Sequence, residues 1–98
     1  MAAALTWEKQ GDTLALKGEL DRDTLLSFWN ARQQQMNAVQ TVDVSGLSHV
    51  DSAGLAMLVR LRGERPEAPF VLSGVSANLQ MLMSLYGVEF EFSQNACI

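Results

Sequence analysis

Residues 49–58 read HVDSAGLAML, and this stretch decides where a central strand gives way to a helix. A β-branched run from Thr41 to Val44 precedes it and is typical of a strand. Asp51 and Ser52 are cap residues, and the segment after them is apolar almost all round. The sequence therefore predicts a strand over Thr41 to Val44 and a helix from Ser52 to Arg62, with Gly63 in the C′ position.

The chain before this stretch predicts a β-hairpin and a first helix. Polar and apolar residues alternate from Leu5 to Lys9 and again from Thr13 to Lys17, with turn residues between the two runs. A helix is expected from about Asp23 to Met36, with Asp21 or Asp23 as its N-cap. Its apolar stripe at helical spacing consists of Leu25, Phe28, Trp29 and Met36.

The chain after this stretch repeats the alternation of strand and helix. We expect a strand from Phe70 to Ser73, a helix from Ala77 to Tyr86 that stops at Gly87, and a strand from Val88 to Phe92. Strands and helices that alternate after one hairpin predict an α/β fold with a mixed sheet, whose later strands are parallel and joined by right-handed crossovers. We expect one domain over residues 1–98, with the helices packed mainly on one face of the sheet.

Composition limits the classes of function. The chain has 98 residues, 48% of them hydrophobic, and a formal charge of −4 with no basic block, so nucleic acid is not expected as a partner. The start of the sequence does not resemble a leader, and no apolar run is long enough to span a membrane, which predicts a cytoplasmic protein without direct membrane insertion. Cys97 is the single cysteine, so neither a disulfide within the chain nor a metal cluster is expected.

The second and third predicted helices carry more apolar residues than their inward faces hold. In the third helix Leu79, Leu82, Met83 and Tyr86 form the inward stripe, which leaves Met81 and Leu85 outside it. In the second helix Ala56 and Met57 are expected to point away from the sheet, toward Arg60, while the inward set is Leu55, Leu58, Val59 and Leu61. These outward residues are either scattered exposed apolar side chains or a docking surface for another protein.

The residues from Asp51 to Gly54 can be compared with a helix cap, a phosphate-binding loop and a catalytic site. An aspartate or serine here caps a helix, but Gly54 in the first turn costs up to ~1 kcal/mol. Tight packing, an unusual φ or the close approach of another surface should therefore require glycine at this position. The Gly-x-x-x-x-Gly-Lys motif of a phosphate-binding loop is absent, and Asp51 lies where a bound anion would be located. His49 is the one histidine and lies too close along the chain for a catalytic triad with Ser52. No enzyme activity, cofactor, metal or small-molecule substrate is expected.

Three motifs together resemble the STAS domain, the fold of anti-sigma-factor antagonists and of regulatory domains associated with transporters. They are GELDRDTL (18–25), TVDVSGLSHV (41–50) and DSAGLAML (51–58). The resemblance implies that Ser52 occupies the position of a serine that a partner kinase phosphorylates. Ala53 and Ala56 depart from the antagonists' pattern, which carries a second serine and a second glycine there.

A further likeness, in LTWEKQGDTLALKGELD (5–21), in Trp29 with Arg32 and in Leu85 with Tyr86, is to the STAS subunits of bacterial phospholipid ABC transporters. It implies a regulatory subunit in the cytoplasm, peripheral to the inner membrane, that binds the ATPase subunit of a permease complex. That complex maintains the lipid asymmetry of the outer membrane. The resemblance implies that the subunit itself neither binds lipid nor hydrolyses ATP.

The predicted partner site gathers these residues. It consists of Asp51, Ser52, Gly54, Leu55, Met57, Met81 and Leu85, with Ser52 as the phospho-acceptor position. Arg32 falls on the stripe of the first helix, and Glu19 and Asp21 could hold the neighbouring loop or pair with it. The alternative is that both acids are simply solvated and that the Arg32 side chain extends along apolar surface to water. Two other hypotheses stay open: a phospho-switched anti-sigma-factor antagonist that binds a serine kinase, and a small hydrolase or nucleotide binder.

Overall fold

Three helices lie beside a four-stranded sheet in the computed structural model, which describes residues 4–90. In chain order the elements are β1 (Thr6–Gln10), β2 (Thr13–Leu20), α1 (Leu25–Gln35), β3 (Thr41–Val50), α2 (Ser52–Gly63), β4 (Val71–Ser73) and α3 (Ala77–Leu85). The strand order is β1-β2-β3-β4, with β1 antiparallel to β2 and the other two pairs parallel. The predicted α/β fold with a mixed sheet is confirmed.

Alternation along the two central strands places the core on one face of the sheet. Leu14 and Leu16 of β2 and Val42 and Val44 of β3 are buried, whereas the residues between them are only partly buried. The helices supply the other half of this core with Phe28, Leu55, Leu58, Leu61, Leu79 and Met83. Trp7 of β1 contacts Phe28 edge to face, with the ring centroids 5.2 Å apart. This burial of apolar area is the main stabilising term of the fold.

Strand β3 is longer than its β-branched run from Thr41 to Val44 predicts, and it spans the whole stretch 41–50 that resembles a STAS strand. It continues through the polar and glycine-containing residues 45–49 to Val50, because β2 runs beside it in parallel as far as Leu20. The pairing is irregular between Ala15 and Lys17 and again between Gly18 and Glu19. Such irregularities interrupt the two-residue period, and for this reason the alternation of residues did not reveal the second half of the strand.

The ends of α1 and α2 differ from the predicted caps. The N-cap of α1 is Thr24, without a side-chain cap bond, while Asp21 accepts hydrogen bonds from the N–H groups of Asp23 and Thr24 at 2.9 and 3.1 Å. Asp21 therefore closes the turn before the helix. Gly63 is the last residue of α2 and Glu64 is the C-cap in a right-handed conformation, so the predicted C′ role of Gly63 is wrong.

Helix α3 begins and ends close to the predicted residues. Gly87 has φ +66° and follows the helix end as expected, because glycine adopts this left-handed conformation without a steric cost. Leu79 and Met83 are buried as predicted, but Tyr86 is 60% exposed. The helix ends at Leu85, so the helical spacing that would have turned Tyr86 inward no longer holds there.

The last predicted strand is only partly within the described residues. Val88 to Phe90 are not in a strand, although Phe90 is buried and its ring lies 6.0 Å from that of Phe70. Residues 91 and 92 of that prediction, and Cys97, lie outside the described residues.

Candidate functional site

Asp51 is the residue that joins the start of α2 to the rest of the fold. Its Oδ1 accepts a hydrogen bond from the Gly54 N–H at 2.8 Å, and its Oδ2 accepts one from the Arg22 N–H at 3.3 Å. Its own N–H donates to the Leu20 carbonyl at 3.2 Å. One carboxylate thus caps the helix and holds the loop after β2. These bonds give Asp51 a structural role.

Gly54 lies against the end of β2. A Cβ atom at this position would be 2.4 Å from the Leu20 carbonyl oxygen and 2.9 Å from the Leu20 Cγ. The nearest of these atoms is backbone, which cannot move aside as the end of a flexible side chain can. The tight contact expected from the cost of glycine in a first helical turn is therefore confirmed.

Ser52 is the first residue of α2 and is exposed. The helix is capped by Asp51, so capping does not engage the serine. Within residues 4–90 no hydrogen bond engages the Ser52 hydroxyl, which leaves it available to a group outside the domain. The site thus separates two tasks: Asp51 stabilises the helix start and Ser52 presents a hydroxyl.

Two of the apolar residues predicted for the partner site are buried. Met57 is 4% exposed, so the prediction that it belongs to an uncovered apolar surplus is wrong. Leu55 is also buried, as its place in the inward stripe predicted, and so it offers no area to a partner. The reason is that α2 packs between α1 and α3, which widens its buried arc beyond what the sheet alone would cover. Ala56 is exposed as expected.

An apolar groove lies between α1 and α2. This α1–α2 groove has a volume of about 210 Å³ and is lined by Leu25, Leu26, Trp29, Ala53, Ala56, Met57 and Arg60. Leu26 is 51% exposed and was missed in the sequence, because it stands next to the apolar stripe of α1 and not on it. The sequence signal for Leu26 was a large apolar residue on α1 that the predicted core did not require.

Helix α3 presents the second exposed apolar area. Met81 is 62% and Leu85 75% exposed, as predicted for both. The sequence carries no charged residue between Glu67 and Glu89, so α3 is entirely uncharged. An uncharged helix face with large exposed apolar side chains is typical of a contact surface, since the cores of interfaces are depleted in charge.

Arg32 does not pair with the acidic residues expected for it. Its Nε lies 2.9 Å from Oε1 of Glu64, and its guanidinium lies 3.8 Å from the centroid of the Trp29 ring. Glu64 follows α2, so this ion pair links the ends of α1 and α2. A contact between residues so far apart in sequence has no local signal.

Glu19 and Asp21 make hydrogen bonds within their own loop and, among residues 4–90, none with the neighbouring Asp51–Gly54 loop. The Glu19 carbonyl accepts a hydrogen bond from the Thr24 hydroxyl at 2.8 Å, and the Asp21 N–H donates to the same hydroxyl at 3.0 Å. The loop between β2 and α1 is thus fixed next to Asp51, whose carboxylate binds the Arg22 N–H.

The chemistry of these groups favours recognition. The Asp51 carboxylate accepts two backbone hydrogen bonds, and among residues 4–90 no hydrogen bond joins it to the Ser52 hydroxyl, as activation of a nucleophile by a base requires. Among residues 4–90 no group of three or more His, Cys, Asp or Glu side chains is arranged to hold a metal ion. In the same part of the chain no helix has both the length and the apolar character needed to cross a membrane.

The cap gives a testable prediction. Asp51→Ala should lower the free energy of unfolding by about 1–2 kcal/mol, because the Gly54 N–H and the Arg22 N–H lose their acceptor. Asp51→Asn should cost less, since the amide oxygen can still accept from Gly54. Urea denaturation followed by circular dichroism measures both, and a wild-type midpoint for Asp51→Ala would contradict this role.

Comparison with solved structures defines the class of fold. The anti-sigma factor antagonist SpoIIAA, in its unphosphorylated form, superposes on this chain with a TM-score of 0.59 and 22% sequence identity. The match covers 93% of this chain and 88% of SpoIIAA. The architecture is the STAS fold.

Sequence comparison defines the family within that class. The family model described as "Mlab, STAS domain" matches residues 3–90. The intermembrane phospholipid transport system binding protein MlaB of Escherichia coli K12 is 38% identical over 90 residues, which cover 90% of this chain and 93% of that protein. MlaB of Haemophilus influenzae is 42% identical over 65 residues, or 55% of this chain and 61% of that protein. The chain belongs to the MlaB family of STAS domains, as the motifs predicted.

Proposed function

We propose that this chain is the STAS subunit of a bacterial phospholipid ABC transporter and that it binds the ATPase subunit of the permease complex. The observation that carries the proposal is the exposed Ser52 hydroxyl, which capping does not use, at the start of a helix that lies beside exposed apolar side chains. The family supports the setting, since its members from two organisms are named as binding proteins of an intermembrane phospholipid transport system.

The contact surface, in this proposal, is the outer side of the layer of helices. Ser52 and Ala56 are exposed one turn apart on α2, and Met81 and Leu85 are exposed one turn apart on the neighbouring α3. The apolar side chains supply buried area, and the serine supplies a directional hydrogen bond. Asp51 and Gly54 serve this surface indirectly, because they fix the position from which α2 starts.

The role proposed is regulatory and not catalytic. The subunit would support the assembly and activity of the ATPase in the cytoplasm and would reach the inner membrane only through its partner. The net charge of −4 and the uncharged α3 favour a protein contact over nucleic acid or an anionic membrane surface. Neither a cofactor nor direct insertion into the membrane forms part of the proposal.

A second candidate is a phospho-switched anti-sigma-factor antagonist. The exposed Ser52 hydroxyl favours it, since a kinase needs an accessible acceptor. A phosphate there would add about −1.5 to −2 charge directly after Asp51. The likeness to SpoIIAA concerns the fold alone, whereas the family match concerns nearly the whole sequence, so the transporter role is the better supported of the two.

Recovery of partners from native membranes tests the proposal. The tagged protein should bring down an ATPase and a permease, and Leu85→Asp should reduce that recovery roughly tenfold, because a carboxylate would lose water in an apolar contact. Thr6→Asp on β1 is the matched control, since it adds the same charge to an exposed strand residue outside the helical layer.

Two results would count against this proposal. Recovery of a serine kinase in place of the ATPase would favour the antagonist. Equal recovery of the ATPase with Leu85→Asp and Thr6→Asp would remove α3 from the contact surface.

A further inference from the structure

The α1–α2 groove combines apolar walls with one charged residue. Six of its seven lining residues are apolar, and the seventh, Arg60, is exposed at the end of the groove that lies farther along α2. From this we infer that the groove receives a helical segment of a partner protein that carries leucine-like side chains followed by an acidic group. The inference rests on the proposed function, since it describes the segment of the partner that contacts this domain.

The size of the groove favours side chains over a small-molecule ligand. Its volume of about 210 Å³ is smaller than the roughly 300–1,000 Å³ typical of small-molecule sites. The lining residues extend along α2 from Ala53 to Arg60, which is about 10 Å at the rise of an α-helix. A segment that covers this length presents two turns of helix, with apolar residues at i, i+3 and i+4.

Two of the apolar residues that line the groove are exposed to solvent. Leu26 is 51% exposed on α1, and across the groove Ala56 is exposed on α2. Met57 lines the same groove and is buried, so it forms the floor. A large side chain that entered between Leu26 and Ala56 would remove both from water and would contact the thioether of Met57, which adapts well to irregular shapes.

The charge of the groove is the reason for the acidic group in the proposed partner segment. No acidic residue lines the groove, and within residues 4–90 no ion pair involves Arg60. Arg32 differs, because Glu64 already neutralises it. An exposed arginine beside an apolar groove complements a carboxylate, and arginine is enriched among the residues that dominate binding energy. Since the chain carries a net −4, this positive end is a local feature.

Two labelled peptides test the inference directly. Both are helical and carry leucines at i, i+3 and i+4, and they differ only in glutamate or lysine at i+7. Fluorescence anisotropy should show roughly tenfold tighter binding of the glutamate peptide to the wild-type protein. Arg60→Glu should reverse that preference. Ala56→Trp should abolish binding of both peptides, because its ring would fill the groove.

A matched control separates the groove from general charge effects. Lys17→Glu makes the same change of charge on β2, and Lys17 is exposed and does not line the groove. It should leave the preference for the glutamate peptide intact. Arg60 and Ala56 are exposed, so their variants should fold, and thermal melts followed by circular dichroism verify this.

Several outcomes would overturn the inference. They are the absence of binding of the glutamate peptide up to about 1 mM, equal binding of the two peptides, and loss of the preference in Lys17→Glu as well as in Arg60→Glu. Self-association of the wild-type protein that Ala56→Trp removes would assign the groove to a second copy of the chain and would equally overturn it.

The same variants distinguish this inference from the proposed function. If the ATPase is recovered with wild type, Arg60→Glu and Ala56→Trp in equal amounts, the groove is not the contact and the inference fails while the proposed function stands. If the peptides behave as expected but no ATPase is recovered with wild type, the proposed function fails and the groove keeps its specificity.

Discussion

Gly54→Ala should destabilise the domain by about 3 kcal/mol or more, the largest effect that we expect from a single methyl group. The added Cβ would lie 2.4 Å from the Leu20 carbonyl oxygen, so either the start of α2 or the end of β2 must shift. Such a shift would also strain the bonds that Asp51 makes to both elements. The midpoint and slope of urea denaturation measure the loss.

A second glycine in the same helix provides a control substitution, which should raise the free energy of unfolding. Gly63 also lies in α2, without a positive φ, and a Cβ there would meet nothing within 4 Å. Gly63→Ala should therefore stabilise the domain by about 0.4–1 kcal/mol, because alanine restricts the unfolded chain more than glycine does. If both variants unfolded at the same urea concentration, the contact between Gly54 and Leu20 would have no energetic importance.

Ser52→Asp should leave the isolated domain as stable as wild type and weaken the association with the ATPase at least tenfold. Asp51 supplies the cap, and an acid in the first turn interacts favourably with the positive end of the helix. In a protein contact the added carboxylate would lose water next to another carboxylate, and both effects oppose binding. Thermal melts and co-purification of the ATPase, measured on the same preparations, report the two quantities.

Two milder substitutions separate the contributions of charge and hydroxyl. Ser52→Thr keeps the hydroxyl and should retain binding. Ser52→Ala should change the free energy of unfolding by less than about 0.5 kcal/mol, as is usual for a surface position, and any loss of binding then reports a hydrogen bond to the partner. Wild-type recovery of the ATPase by Ser52→Asp, with full ATPase activity, would exclude Ser52 from the contact.

Local patterns in the sequence predicted most of the fold, because each helix and most strands carry their own period. The apolar stripe of α1 and the alternation in β1 and β2 are properties of consecutive residues. The second half of β3 is different, since its polar residues extend only because β2 runs beside them. Gly63 was misjudged for a related reason: glycine permits a left-handed C′ position, but here the helix continues through it.

The sequence predicted the candidate site best where a residue is energetically unfavourable in its own secondary structure. Gly54 is costly in a first helical turn, and that cost correctly pointed to a close contact. The burial of Met57 and the pairing of Arg32 with Glu64 both depend on how α1 and α2 lie next to each other. Neither can be read from one helix alone, because each involves residues from two elements that are distant in sequence.

The parallel pairing of β2 with β3 also has a consequence for the kinetics of folding. The β1–β2 hairpin joins residues that are close in sequence, and hairpins of this kind form within about 1–10 μs. The pair β2–β3 forms only after the chain that contains α1 has closed into a loop, and its register holds two irregularities. Because non-local contacts are slow to form, the search for this register should limit the rate at which the domain folds.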